Sequence, residues 1–246
     1  MHAEWTKLRT SPGAPWLLLG LVFTTVAVSA AAAASVTCTG GVCSQDPTRL
    51  SLTGVHLGQA VVAVLAVLVV TGEYSSHLMM TSLIATPRRP TVLVAKAAVV
   101  TAAVAAAGGV AVVGSLLAGR VLLPASAPLS FTEGPTWRAG VGSVLYLVLI
   151  GLLSLGVGAV VRDGAVAIGV VLGVLYLSPI LAHLVTDPVW HRRVQQWGPM
   201  EAGLNIQATI NLDALPLTPW SGLGVLAAWS LVALAGGLVL FQRRDA

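Results

Sequence analysis

The sequence carries very little charge. Only 9% of its 246 residues are Asp, Glu, Lys or Arg and 56% are hydrophobic, whereas soluble domains contain about a quarter charged residues. Lysine occurs twice, and phenylalanine and tyrosine three times each. So few charges cannot cover the surface of a water-soluble globule of this size, which excludes a soluble enzyme. The formal charge of +4 does not indicate nucleic-acid binding, because the basic residues are scattered between apolar blocks.

The common catalytic signatures are also missing. Neither Lys7 nor Lys96 lies in a phosphate-binding loop, and the sequence contains no H-E-x-x-H or G-x-S-x-G motif. The histidines are far apart, and no acidic cluster accompanies the cysteines, so a metal site is not expected. The apolar stretches contain almost no ionisable groups, which argues against an ion-coupled carrier. We therefore predict a non-catalytic chain with no cofactor or metal of its own.

Six apolar stretches predict an all-α integral membrane protein with six transmembrane helices. A helix needs about 20 apolar residues to cross a hydrocarbon core of about 30 Å. The predicted spans are Leu17–Ser35, Val55–Thr71, Ala97–Gly119, Ala139–Val161, Gly164–Val185 and Trp220–Phe241. We expect one transmembrane domain over residues 1–246, embedded in the lipid bilayer of the cell membrane.

The basic residues predict the orientation of these spans. Lys and Arg are enriched in cytoplasmic loops, and eight of them fall on the side of the two termini against five on the other. Both termini are therefore expected in the cytoplasm. Cys38 and Cys43, the only cysteines, then lie together in the first outer loop. A disulfide persists in such an oxidising compartment, so we interpret them as a disulfide; two inert thiols are the alternative.

Several helix ends have recognisable caps. Arg162-Asp163 predicts a tight turn between spans four and five, with Asp163 as the N-cap. Asp187-Pro188 and Thr218-Pro219 have the N-cap-then-proline pattern of a helix start.

The N-terminal stretch, Met1 to Pro15, is expected to form a helix at the inner membrane interface. Trp5 and Leu8 would anchor it, while Lys7 and Arg9 face lipid headgroups. A frayed basic tail is the alternative.

The segment from Glu73 to Pro90 follows span two on the cytoplasmic side. As a helix it places five residues on one face, namely Ser76, His77, Met80, Leu83 and Ile84. Pro87 would end the helix and Arg88-Arg89-Pro90 would turn the chain back. Such an amphipathic helix can dock into a groove on a partner. The alternative is a helix lying flat on lipid, which Glu73 at the membrane boundary disfavours.

Residues 186–217 are expected on the outer side. A helix starting at Pro188 would align Trp190, Val194 and Trp197 at i, i+4 and i+7. A second short helix is predicted from Met200 to Ile210. We interpret the pair as a lid over the outer ends of the spans; an interfacial helix without a gating role is the alternative.

Several motifs resemble the permease subunits of ABC-2-type (type V) ABC exporters, especially small actinobacterial ones. The N-terminal Glu4-Trp5-Thr6-Lys7-Leu8-Arg9 is similar to the opening element of that family. The segment after span two is similar to its counterpart in that family in Gly72-Glu73-Tyr74-Ser75, Thr81-Ser82-Leu83, Pro87-Arg88-Arg89 and Lys96-Ala97. The outer element of the family is similar to Trp197-Gly198-Pro199 with Ala202-Gly203.

The resemblance implies a function and partners. The segment after span two would be a coupling helix that contacts a separate cytoplasmic ABC ATPase, and its candidate contact residues are Glu73, Tyr74, His77, Met80, Leu83, Ile84, Arg88 and Arg89. Two permease copies, or a copy and a homologue, would bind two ATPase subunits, which hold the ATP and magnesium. The expected cargo is a hydrophobic or amphipathic antibiotic, drug or lipid. The alternative is a membrane sensor or assembly component that docks a partner without transporting.

Overall fold

A computed structural model describes residues 13–36, 45–75, 89–124, 134–184 and 187–243, and these residues contain helices and turns but no strand. Side chains are not described at 73–75, 89–90, 182–184, 188, 191 and 241–243. The helices are α1 (Gly13–Ala34), α2 (Pro47–Ser51), α3 (Val55–Ser75), α4 (Arg89–Leu122), α5 (Gly134–Val161), α6 (Gly164–Leu184), α7 (Pro188–Trp197), α8 (Pro199–Leu204) and α9 (Pro219–Arg243). Two short 3₁₀ turns, Asn205–Gln207 and Leu212–Ala214, lie between α8 and α9.

Within this described part of the chain, six helices are long and apolar enough to cross a membrane: α1, α3, α4, α5, α6 and α9. The prediction of an all-α, multi-pass chain is confirmed at this level. The largest difference is in the third span, which begins at Arg89 and not at Ala97. The sequence predicts Lys96 in the cytoplasmic loop before this span, whereas the helix includes it and its ammonium donates to the carbonyl oxygen of Val69 at 3.1 Å.

Helix α5 forms the centre of the bundle. It packs against α9, α3, α4 and α6, and 56% of its membrane-length window is buried, against 17% for α6 and 22% for α1 and α9. Small residues let the helices approach closely. A Cβ added at Gly156 would lie 2.5 Å from the carbonyl carbon of Ala233, so α5 and α9 touch backbone to backbone there.

The two ends of the bundle differ. One end, here called the turn end, carries the predicted two-residue connection between α5 and α6. Arg162 has a left-handed φ of 64°, and the Asp163 carboxylate caps α6 by accepting from the Val166 N–H at 2.9 Å. Both features confirm the predicted turn.

The opposite end, here called the cap end, carries residues 45–54 and 187–218. Asp187 caps α7 as predicted, accepting from the Val189 N–H at 2.8 Å. Thr218 precedes Pro219, the first residue of α9, as predicted; its carbonyl oxygen accepts from the Gly222 N–H at 3.0 Å, and its hydroxyl pairs with that of Ser221 at 2.8 Å. The helix predicted from Met200 to Ile210 is too long, since α8 ends at Leu204 and a 3₁₀ turn ends at Gln207.

Several predictions lie outside the described residues. These are residues 1–12 of the interfacial helix predicted from Met1 to Pro15, whose last three residues belong to α1, the pairing of Cys38 with Cys43, and the coupling contacts of His77, Met80, Leu83, Ile84 and Arg88. The backbone of Glu73 and Tyr74 belongs to the last turn of α3, and Arg89 is the first residue of α4. The coupling role of all eight residues stays a prediction.

Candidate functional site

The most unusual feature of the cap end is a short stretch of chain, residues 199–208, that enters the bundle between the helices. We call it the inserted segment. Met200, Leu204, Ile206 and Gln207 in it are each no more than 7% exposed. Irregular backbone at membrane depth is tolerated where protein surrounds it, and the burial of this segment meets that condition. It is therefore part of the bundle and not a lid resting on it.

Three glycines make room for the inserted segment. A Cβ added at Gly142 on α5 would lie 2.0 Å from Ile206, and one added at Gly222 on α9 would lie 2.0 Å from the carbonyl oxygen of Ala202. Within the segment, a Cβ at Gly203 would lie 2.6 Å from the ring of Tyr146. Real Cβ atoms do not approach this closely, so the insertion depends on glycine at these positions.

Polar side chains of α3 and α5 hold the inserted segment in place. The hydroxyl of Tyr146 donates to the amide oxygen of Gln59, and the amide nitrogen of Gln59 contacts the sulfur of Met200 at 3.2 Å. One turn nearer the cap end, the amide of Gln207 donates to the hydroxyl of Ser143 at 3.1 Å. A polar network thus joins two spans to the inserted segment inside an otherwise apolar bundle.

This network has spare hydrogen-bonding capacity. Within the described protein, the amide oxygen of Gln207 and the amide nitrogen of Asn205 are buried and have no hydrogen-bond partner. Unsatisfied buried polar groups are rare and costly in folded proteins. The cap end therefore contains polar atoms that a rearrangement of the segment could satisfy.

Asp46 connects the two chain segments of the cap end. Its carboxylate caps α2 by accepting from the N–H groups of Thr48 and Arg49 at 3.0 and 3.2 Å. It also accepts from the N–H and hydroxyl of Thr209 and from the Ile210 N–H. One carboxylate thereby joins the connection before α3 to the chain that leaves the inserted segment.

A cavity of about 550 Å³ lies beside this carboxylate. Asp46, Arg49, His56 and Asn211 contribute polar groups to its wall, while Leu50 and other aliphatic side chains complete it. The cavity is open to the outside, and its volume is within the range of small-molecule sites.

The three residues predicted to form an outer gate lie on α7. The rings of Trp190 and Trp197 are 57% and 71% exposed, and Val194 is half-buried. The Arg193 guanidinium lies over the Trp190 ring at 5.5 Å from its centroid. The ring nitrogen of Trp229 on α9 donates to the carbonyl oxygen of Trp197 at 3.0 Å. This bond fixes the end of α7 to the last span, while the gating role stays a prediction.

At the turn end, Lys96 fixes α4 to α3. Its side chain is only 2% exposed, and its ammonium donates to the Val69 carbonyl oxygen at 3.1 Å. A buried ammonium is costly unless it is hydrogen-bonded. Gly158 and Gly164 approach the same end of α3, at Val67 and Thr71. The Lys96 hydrogen bond therefore links the two helices that flank residues 76–88, and α5 and α6 pack closely on the same end of α3.

Sequence reasoning missed the polar residues of the cap end. Gln59 could have been found, because it is the one amide within the six predicted spans. Asp46 before Pro47 has the same cap pattern as Asp187 before Pro188, so α2 could also have been predicted. Nothing local in the sequence pairs Asp46 with Thr209.

Comparison with known proteins adds no assignment. The described residues contain no group of three or more His, Cys, Asp or Glu that could hold a metal ion. The chain matches no model of a protein family, and it matches no curated protein sequence.

Proposed function

We propose that this chain is the transmembrane permease subunit of an ABC-2-type exporter, driven by a separate cytoplasmic ATPase. In this proposal the turn end faces the cytoplasm and the cap end faces outward. Two permease subunits form the translocation path, and two ATPase subunits bind to the turn end. The observation that carries the proposal is the junction of Lys96 with Val69, which holds α3 and α4 together where residues 76–88 connect them.

The length of α4 supports a docking role for this connection. Its 34 residues span about 50 Å at 1.5 Å per residue, whereas the hydrocarbon core of a bilayer is about 30 Å thick. The surplus lets α4 project beyond the hydrocarbon, with Arg89 at its turn end. Arg162 lies at the same end, and cations there agree with a cytoplasmic face.

The packing supports transmission of movement from this junction. Force applied to residues 76–88 acts on α3 and α4 together, because Lys96 joins them. Both helices pack on α5, and α5 in turn contacts α6, α9 and the inserted segment. ATP-driven closure of the ATPase pair would tilt this unit and open the path outward. The energy comes from ATP on the partner.

The cargo in this proposal is a hydrophobic or amphipathic compound such as an antibiotic, a drug or a lipid. The buried polar groups of the described spans are chiefly hydroxyls and the amide of Gln59, which suit weakly polar compounds better than ions. The mixed polar and aliphatic cavity beside Asp46 would receive such a compound at the outer end of the path.

Substitution in residues 76–88 tests the docking role. In the sequence pattern Leu83 lies on the proposed contact face and Ser82 on the polar one. Leu83→Asp should release the ATPase in a pull-down of the tagged chain, because a buried unpaired charge is very costly. Ser82→Asp adds the same charge one residue away and should retain it. Retention of an active ATPase by Leu83→Asp would contradict the docking surface.

A further inference from the structure

An apolar groove runs between α4 and α5 near the cap end. Its volume is about 330 Å³. Gly109, Val112, Val113 and Leu116 of α4 line one wall, and Trp137 and Gly140 of α5 lie on the other. Val113 and Trp137 are 57% and 67% exposed. The groove therefore opens sideways from the bundle, over residues 109–117 of α4 and 136–144 of α5.

The groove exists because glycine lies at its base. A Cβ added at Gly109 would meet no atom within 4 Å, so the space beside this residue is empty. On the opposite wall, a Cβ at Gly140 would make ordinary contact with Leu116 at 3.5 Å. A larger side chain at 109 would therefore extend into the groove.

A cation continues the α4 wall of the groove. Residues 109, 112, 113, 116 and 117 follow helical spacing along one face, and Arg120 is the next position on it, one turn above Leu116. Trp137 lies at the same end of α5, and tryptophan favours the level of lipid headgroups. Arg120 already has an interaction within the protein, but a guanidinium carries five N–H donors and can also bind a phosphate.

We propose that this groove holds an acyl chain of a bilayer phospholipid, with the lipid phosphate at Arg120. The groove is apolar and ends at a cation and an aromatic ring, which is the order needed to bind an acyl chain followed by a phosphate headgroup. The inference is independent of the exporter proposal, since it concerns only the lipid-facing side of α4 and α5.

Native mass spectrometry of the detergent-purified chain tests this site. The probe is palmitoyl-oleoyl phosphatidylglycerol, compared with the phosphatidylcholine of the same chains. Gly109→Leu should weaken retention of the first lipid roughly tenfold, since its side chain occupies the volume of the acyl chain. Gly224→Leu is the matched control, because a Cβ there also meets no atom within 4 Å and it lies on α9. The wild type should retain phosphatidylglycerol better, because the phosphate of phosphatidylcholine is accompanied by its own choline cation, and Arg120→Gln should remove this preference while the acyl chain still binds.

Each outcome decides the proposal. Loss of the first lipid in Gly109→Leu, with retention in Gly224→Leu, supports it. Wild-type retention in Gly109→Leu overturns it. A fall in dimer content of Gly109→Leu with unchanged lipid binding also overturns it, in favour of a second copy as the occupant. If Gly109→Leu does not fold, Val113→Phe fills the same groove from an exposed position and is subject to the same criteria.

Discussion

The carboxylate of Asp46 binds both the backbone N–H and the hydroxyl of Thr209, although the two residues are 163 positions apart in the chain. The hydroxyl contact measures 2.7 Å. The same carboxylate caps α2, so a single side chain holds one connection in its helical form and attaches it to another. The two connections of the cap end therefore act as one structural unit.

Removal of this carboxylate should destabilise the protein. We expect Asp46→Ala to lower the free energy of unfolding by about 1–2 kcal/mol, because a helix cap and charge-assisted hydrogen bonds are lost together. Asp46→Asn should cost less, since an amide oxygen can still accept. Thermal unfolding in detergent, followed by tryptophan fluorescence, measures the difference. The control is Asp213→Ala, which changes an exposed acid of the same cap end and should unfold at the midpoint of the wild type. Equal unfolding midpoints for Asp46→Ala and Asp213→Ala would contradict a stabilising role for the bonds between Asp46 and Thr209.

The inserted segment should be sensitive to a single methyl group on α9. Gly222→Ala places a Cβ against the carbonyl oxygen of Ala202, which cannot move without shifting the segment. Overpacking of this kind costs about 1–3 kcal/mol, so the unfolding midpoint should fall. Two residues on, Gly224→Ala meets open space and should be neutral or stabilising by up to about 1 kcal/mol. Equal stability of the two variants would contradict the close contact.

The bond between Tyr146 and Gln59 should appear as a coupling energy. Tyr146→Phe leaves the amide oxygen of Gln59 without this donor, and Gln59→Leu leaves the tyrosine hydroxyl unpaired. Each change should destabilise the protein, but the double variant should cost less than their sum. The expected coupling is about 0.6 kcal/mol, the average for hydrogen bonds between membrane helices, and at most about 1.7 kcal/mol. Unfolding midpoints of all four proteins in one detergent give this value.

A second double-mutant cycle controls for a general loss of stability in the helix bundle. The Ser230 hydroxyl on α9 bonds to the carbonyls of Leu149 and Leu226 and shares no partner with Gln59. Ser230→Ala and Gln59→Leu should therefore be additive. Additivity in the Tyr146 cycle as well would show that its hydroxyl and the amide do not support each other.

The membrane helices follow from the sequence because hydropathy and length decide them. Runs of aliphatic residues are long enough to cross the bilayer, and acidic residues at helix starts marked the caps at Asp163 and Asp187. The start of α4 was misjudged because a lysine was treated as a boundary. Lys96 is accommodated inside the helix because a carbonyl oxygen on a neighbouring span accepts a hydrogen bond from its ammonium, which a local pattern cannot show.

The candidate site was harder to predict from the sequence than the membrane helices. The sequence predicts a short helix from Met200 to Ile210 that forms part of an outer lid, whereas residues 199–208 enter the bundle. Their burial depends on glycines at positions 142 and 222 of two other helices, so the signal is spread over distant parts of the chain. Gln59 alone carried a local signal, as an amide within an apolar span.

The central claim is that ATP hydrolysis by a partner drives transport through this chain. The most direct test reconstitutes the tagged chain, with the ABC ATPase that it retains on purification, into liposomes, and measures ATP-dependent movement of an amphipathic fluorescent dye. We expect movement that requires ATP, the chain and a hydrolysis-competent ATPase, and that stops with Leu83→Asp. A complex that hydrolyses ATP without moving the dye or other amphipathic compounds, or a chain that purifies without an ATPase, would contradict the exporter proposal.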